Sequence, residues 1–173
     1  MARYVELRRH TDNDGDALTE EGVRAALEIG QQLAGGFAVL VSTGAQRATQ
    51  TLACFACALR EPVPGGTVVE EGLRSRVEDR WRAAYQRAGS GDLGALREAD
   101  PELVDEDSAT LGAALRRVFE RLPEGGKALA VGHSPTNEAA VLGLTGSTVE
   151  PIAKGAGVLV IADGDQTRVE PIG

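Results

Sequence analysis

Short apolar runs alternate along this chain with longer amphipathic patterns, and this alternation constrains the fold more than any other feature. Two of the runs are continuous, as expected for strands that are covered on both faces of a sheet. Strands that alternate with helices predict an α/β domain with a mostly parallel sheet and helices on both faces. The predicted strands are Tyr4–Leu7, Phe37–Val41, Ala128–Val131 and Val158–Ile161, followed by a C-terminal edge hairpin that returns through Thr167–Ile172.

Five helices are predicted between these strands, from apolar stripes at helical spacing. Thr19 is a good N-cap for the first helix, and Ser134 as N-cap with Pro135 behind it predicts the start of the last one. The polar stretch 89–107 is rich in Gly, Asp and Glu and predicts a surface excursion within a single domain of residues 1–173. The predicted helices are Glu20–Ala34, Arg47–Leu59, one that begins near Ser75 and contains Val77, Trp81, Ala84 and Tyr85, then Ser108–Leu122 and Ser134–Leu142.

Charge and cysteine content narrow the class of protein. Lys and Arg number 18 against 26 Asp and Glu, a formal net charge of −8 that disfavours nucleic acid or an anionic membrane as partner. The sequence has neither an apolar run of signal-peptide length at its start nor one approaching a membrane span, so we expect a cytoplasmic protein. Cys54 and Cys57 fall inside a predicted helix, which favours core packing over a redox or metal site.

The two histidines of the chain both follow predicted strands. His10 comes shortly after the first strand and His133 shortly after the third. Ligands bind at the carboxyl ends of the strands in open α/β sheets, so both side chains are placed where a site would form. Arg47 opens a helix directly after the second strand, where an arginine gains nothing from the helix dipole. Its position indicates a nearby anion.

Four segments together resemble the signatures of the histidine phosphatase (phosphoglycerate mutase-like) superfamily, in its small phosphatase branch. Residues 9–11 (RHT) resemble Arg-His-Gly, and residues 18–22 (LTEEG) resemble Leu-Thr-x-x-Gly. Residues 42–51 (STGAQRATQT) resemble Ser-Ser-x-x-x-Arg-Ala-x-Gln-Thr, and residues 131–135 (VGHSP) resemble the third signature. The four matches occur in family order. Each alone is weak, but their combination is specific.

The resemblance implies a role for each matching residue. His10 would attack the phosphoryl group and become a phosphohistidine, while His133 would hold the phosphoryl oxygens as charge builds up. Arg9 and Arg47 would clamp the same oxygens, since guanidinium groups offer bidentate donors suited to phosphate. The helix start at Ser134 adds free backbone amides as a further anion site. Water would hydrolyse the intermediate, and neither a metal nor another cofactor is implied.

Two positions depart from the family pattern. Thr11 replaces the signature Gly, so we expect the backbone to run differently there or the pocket to be narrower. Ser75 stands where many members carry a Glu that acts as general acid. Neighbouring carboxylates are candidate substitutes, although each one taken singly is more typical of solvated surface charge. The candidates for the general acid are Glu71 and Glu78, with Glu70 and Glu138 as further alternatives.

Three functions remain open at this point. The first is a phosphatase that acts on a small phosphomonoester or on a protein phosphohistidine. The second is a phosphoglycerate mutase, for which the chain looks too short to form the insertions that retain the donor. The third is a non-catalytic member that binds a phosphorylated ligand or a protein. The sequence does not predict the substrate or the oligomeric state.

A basic cluster lies in this otherwise acidic chain and consists of Arg74, Arg76, Arg80 and Arg82. We predict that these side chains pair with neighbouring acids more readily than they extend the pocket.

Overall fold

A computed structural model gives the fold of residues 1–172, which is built on one large sheet flanked by helices. The strands are β1 (Arg3–Arg9), β2 (Asn13–Asp14), β3 (Ala17–Leu18), β4 (Val39–Ser42), β5 (Thr67–Val69), β6 (Lys127–Gly132), β7 (Gly157–Asp163) and β8 (Gln166–Pro171). The helices are α1 (Glu20–Gln32), α2 (Gln46–Leu59), α3 (Glu78–Ala88), α4 (Leu93–Ala99), α5 (Pro101–Glu120) and α6 (Thr136–Thr145), with a 3₁₀ turn at Glu71–Leu73.

The six-stranded sheet has the order β5-β4-β6-β1-β7-β8. The first four of these strands run parallel, whereas β7 and β8 are antiparallel to their neighbours and form the edge hairpin. This arrangement confirms the predicted α/β fold with a mostly parallel sheet. No helix in residues 1–172 has both the length and the apolar character that crossing a membrane requires.

Two hydrophobic clusters cover the opposite faces of the sheet. Successive residues of a strand point to opposite faces, so Leu129 packs with one cluster while its neighbours Ala128 and Ala130 pack with the other. The smaller cluster lies under α1 and α2 and contains Phe55. The larger cluster lies under α3 to α6. Covering on both faces explains why the central strands are continuous apolar runs.

The predicted surface excursion at 89–107 is wrong. This stretch forms α4 and the first turns of α5, and Leu93, Leu96, Leu103 and Val104 are all buried in the larger cluster. The apolar residues are few, but their helical spacing puts them on one face of each helix. The mostly polar composition of the stretch therefore conceals two amphipathic helices. Asp100 caps α5 by accepting a hydrogen bond from the Leu103 amide, and the helix therefore begins at Pro101, earlier than predicted.

The cysteine prediction is correct for one residue and wrong for the other. Cys54 is partly buried and packs against the smaller cluster, whereas Cys57 is exposed. Helix α2 packs on the sheet through Leu52 and Phe55, and Cys57 lies two residues beyond Phe55, about 200° around the helix. Its side chain therefore points away from the sheet.

Candidate active site

The carboxyl ends of β1 and β6 bring the two histidines together. His10 follows β1 directly, and its backbone amide donates to Gly132 at the end of β6, where His133 follows. The two ring centroids lie 5.4 Å apart, tilted by 59°. Both side chains are buried, with 5 % of His10 and 7 % of His133 exposed. The structure thus places the two predicted residues in one site at the predicted sheet edge.

His10 is held as a neutral imidazole with one nitrogen free. Its Nδ1 lies 2.8 Å from the Thr11 carbonyl oxygen, which can only accept, so Nδ1 carries the proton and Nε2 keeps its lone pair. The pKa of His10 is lowered to about 4, mainly by burial and also by the charges of Arg47 and Arg9, while the hydrogen bond to Thr11 opposes the shift. A neutral, oriented imidazole is what a nitrogen nucleophile requires.

His133 is also neutral near pH 7. Burial is the largest cause that lowers its pKa to about 3, followed by the positive charge of Arg47 and the neighbouring His10. Its Nε2 lies 2.8 Å from the Thr43 hydroxyl at the end of β4. Its Nδ1 is buried without a hydrogen-bond partner among residues 1–172. A buried, unpartnered ring nitrogen beside a cavity is suited to a polar ligand.

The side chains of Arg9 and Arg47 are each held by one hydrogen bond and keep further N–H donors. Arg9 donates from Nη1 to the Ile152 carbonyl at 3.0 Å, and its buried Nε has no partner in the described residues. Burial lowers the pKa of Arg9, but a guanidinium stays charged in proteins. Arg47 donates from Nη1 to Asp16 at 2.8 Å. Each side chain therefore has further N–H groups for an anionic ligand.

Asp16 is a site residue that the sequence reasoning missed. It lies in the turn between β2 and β3 and accepts from the backbone amides of Gln46 and Arg47, each at 3.3 Å, as well as from the Arg47 side chain. The anion that the position of Arg47 indicated is thus, at least in part, a carboxylate of the chain itself. Only the presence of an acid in a short turn could have signalled it.

Thr11 fits without a special backbone or a narrowed pocket. Among residues 1–172, Arg60 is the one non-glycine residue with positive φ, so Thr11 keeps an ordinary conformation. Its side chain points between α1 and α2, where the hydroxyl donates to the Gly22 carbonyl at 2.7 Å. Gly22 is required because an added Cβ would lie 2.0 Å from the Asp12 carbonyl oxygen. The expected narrowing of the pocket by Thr11 is therefore wrong.

Ser134 lines the cavity, but it does not cap α6. The helix begins at Thr136, and the Ser134 hydroxyl instead donates to the Glu138 carboxylate. The prediction that Ser134 is the N-cap is wrong. Its hydroxyl bonds the Glu138 carboxylate four residues later and not a backbone amide of the helix. Glu138 is fully buried, and this burial raises its pKa against the opposing hydrogen bonds from Ser134 and the Ile152 amide.

The structure separates the four candidate general acids by position. Glu78 lines the cavity beside Arg47 and His133 and pairs with Arg74 at 2.7 Å. Glu71 is exposed on the 3₁₀ turn. Of the other two, Glu70 pairs with Arg117 at 3.1 Å, and Glu138 lies behind Ser134.

Most of the basic cluster pairs with acids, as predicted. Besides the pair between Arg74 and Glu78, Arg80 contacts Asp100 at 2.9 Å and Arg82 contacts Asp79 at 2.7 Å. Within residues 1–172, no group of three or more His, Cys, Asp or Glu side chains is placed to hold a metal ion.

A cavity of about 450 Å³ opens beside His133, which lies next to His10. Arg47 and His133 line it, together with Ser134 and Pro135 just before α6. Helix α3 also lines the cavity. The volume lies within the range of small-molecule sites in proteins. The site can therefore hold an anionic group at its basic end and a larger body along α3.

Comparison with known proteins gives a family and a fold. A family model described as the histidine phosphatase superfamily (branch 1) matches residues 3–155. The phosphoglycerate mutase of Bacillus anthracis has a TM-score of 0.71 at 17% identity, over 99% of this chain and 92% of that one. A mycobacterial glucosyl-3-phosphoglycerate phosphatase, in complex with inorganic phosphate, has a TM-score of 0.72 at 15% identity, over 97% and 95%. The protein histidine phosphatase SixA, complexed with tungstate, has a TM-score of 0.56 at 20% identity, over 98% and 94%.

At these identities, the likeness to solved structures shows a shared fold. No curated protein matches the sequence at a significant level.

Proposed function

The chain belongs to the histidine phosphatase superfamily, branch 1, as its four signature-like segments predicted, and we propose that it is a phosphatase working through a phosphohistidine on His10. The substrate is a phosphomonoester or a protein phosphohistidine. The observation that carries the proposal is the neutral His10 ring, whose Nδ1 proton is committed to Thr11 while Nε2 keeps its lone pair beside His133. No metal takes part in the proposed reaction.

The chemistry has two steps. In the first, His10 Nε2 forms a bond to phosphorus as the bond to the leaving-group oxygen breaks. Arg9, Arg47 and His133 hold the phosphoryl oxygens, because phosphoryl transfer depends mainly on positioning and on stabilising this charge. In the second, water attacks phosphorus and loses a proton, the N–P bond breaks, and phosphate leaves neutral His10. In this proposal Glu78, which lines the cavity and pairs with Arg74, accepts the proton of the attacking water, whereas the leaving group takes its proton from water.

The direct test compares wild type with His10→Ala on an aryl phosphate, without added metal. We expect the variant to lose at least about 10³-fold in kcat/KM, because the covalent route needs the imidazole. Wild type quenched during turnover should carry an alkali-stable, acid-labile phosphate that the variant lacks. Thermal unfolding of both proteins controls for misfolding. Equal turnover in both would show that His10 is not the nucleophile.

A mutase is the second candidate, since the compared mutase structure is covered over 92% of its chain. A chain of this length is therefore no argument against such an activity. Exchange of phosphate between glycerate isomers would favour the mutase, whereas release of inorganic phosphate would favour the phosphatase. Stoichiometric binding of phosphate ligands without either reaction would indicate a non-catalytic member.

A further inference from the structure

Helix α3 carries two aromatic residues on the wall of the cavity. Trp81 and Tyr85 are one turn apart and so share a face of the helix. Trp81 is 3 % exposed, whereas Tyr85 is 51 % exposed. The exposed Tyr85 ring offers an apolar surface to a ligand, and the positively charged Arg47 lines the same cavity. Such a surface suits a planar group attached to a phosphate.

The Trp81 ring is held in place from behind. Its indole N–H donates to the Asp107 carboxylate at 2.6 Å, and the Ser75 hydroxyl donates to the same carboxylate oxygen at 2.7 Å. The Ser75 oxygen in turn accepts from the Val77 amide just before α3. Ser75 therefore fixes the start of α3 and the aromatic wall.

This use of Ser75 bears on the chemistry of the leaving group. Position 75 was the expected place of a general acid, and a serine hydroxyl tied to Asp107 does not supply a proton as a carboxylic acid does. An aryl oxide is a much weaker base than an alkoxide, so it can leave from phosphorus and take its proton from water afterwards. An aromatic wall and a serine at this position thus favour the same class of substrate.

We propose that this cavity selects phosphate esters with an aromatic leaving group and that Tyr85 is the specificity-determining residue, stacking on the ring. The inference rests on the proposed phosphatase function and names its substrate class. A phosphorylated peptide is the alternative occupant that the test must separate, because an open cleft also admits an extended chain. The cavity volume of about 450 Å³ accommodates a ring together with a phosphate.

The test measures kcat/KM for phenyl, benzyl and ethyl phosphate with wild type, Tyr85→Ala and Tyr85→Phe. We expect wild type to prefer phenyl phosphate. Tyr85→Ala should lower the phenyl-to-ethyl and benzyl-to-ethyl ratios of kcat/KM about two- to tenfold, which corresponds to the usual free energy of one aromatic contact. Tyr85→Phe should restore both ratios, since the ring and not the hydroxyl makes the contact. Benzyl phosphate has the same ring but a more basic leaving group. Its lower rate relative to phenyl phosphate measures the effect of lacking a general acid.

Arg87→Ala provides the matched control on the same helix, because Arg87 points away from the cavity toward Asp100 at 3.8 Å. It should leave the ratios as in wild type. Binding of phenylphosphonate against ethylphosphonate, measured by calorimetry, tests ring recognition without turnover. If turnover occurs but Tyr85→Ala moves neither ratio, or if a phosphoserine peptide is preferred to phenyl phosphate, the inference is overturned while the phosphatase stands. If no ester is hydrolysed yet phenylphosphonate still binds better through Tyr85, the phosphatase falls and the ring site stands.

Discussion

Thr11 ties the loop after β1 to the two helices that cover it. Its hydroxyl donates to the Gly22 carbonyl in α1, and its backbone amide donates to the Thr51 hydroxyl of α2 at 3.2 Å. Its carbonyl meanwhile orients the His10 ring. A residue that departs from the signature therefore performs two tasks: its backbone sets the histidine tautomer, and its side chain fixes the loop.

Replacing Thr11 by Gly should lower the free energy of unfolding by about 1–3 kcal/mol. The change removes a buried hydrogen bond and adds conformational freedom to the unfolded chain. Equilibrium denaturant unfolding checks the value. Thr11→Ser keeps the hydroxyl and should recover most of the loss. A Thr11→Gly variant as stable as wild type would mean that the contact with α1 contributes nothing.

At the scale of elements, the segment between α6 and β7 braces the end of β1. The Gly155 amide donates to the carbonyls of Arg9 and His10, at 3.1 and 3.2 Å, and the Gly155 carbonyl accepts from the Arg8 side chain at 2.9 Å. Gly155 has φ +80, and an added Cβ would lie 2.7 Å from Ile29 Cδ1. The nucleophile thus depends on a glycine far away in sequence.

Gly155→Ala should be destabilising by about 1–3 kcal/mol and should also lower kcat/KM on an aryl phosphate, because a side chain at φ +80 strains the backbone that donates to the Arg9 and His10 carbonyls. Gly164 supplies the control. It lies in the turn of the β7–β8 hairpin at φ +61 with nothing near its Cβ direction, so Gly164→Ala carries the backbone cost alone. Stability measured by unfolding and kcat/KM should fall together for Gly155→Ala, whereas Gly164→Ala should change stability only. If the two variants lost kcat/KM to the same extent, Gly155 would have no special role in holding His10.

The sequence predicted the elements that carry the histidines because strand ends and signature spacing are local signals. His10 and His133 meet because parallel strands share an edge, a rule that needs no coordinates. Such rules do not predict hydrogen-bond partners that are distant in sequence. Asp16 lies 31 residues from Arg47, and Asp107 lies 32 residues from Ser75. Nothing local indicates these pairs, since each depends on how separate elements pack.

At the scale of the whole molecule, an acidic protein surrounds a basic site. The net charge is −8, yet the groups that act electrostatically on His10 are the cations Arg47, Arg9 and Lys154. Local placement and not net charge therefore sets the potential at the phosphate end of the cavity. Burial first and then Arg47 lower the pKa of both histidines and keep them uncharged in the folded state, which links the site to the stability of the whole chain.

This linkage predicts that stability falls as pH drops from about 6.5 toward 4. In the unfolded chain both histidines bind protons near pH 6.5, but in the folded chain His10 does so only at about 4 and His133 at about 3. The unfolded state therefore binds more protons in this window, and acid favours it. Each histidine should contribute on the order of 2 kcal/mol between pH 6.5 and 4.5.

Denaturant unfolding at pH 7, 5.5 and 4.5 measures this slope, and the double variant His10→Gln, His133→Gln should flatten it. Glu138 acts in the opposite direction, because its raised pKa makes the folded state bind a proton before the unfolded state as pH falls. Glu138→Gln in the wild-type background should therefore steepen the loss of stability in acid. If the double variant loses stability as steeply as wild type, the histidines titrate alike in both states, and burial does not lower their pKa values in the folded protein.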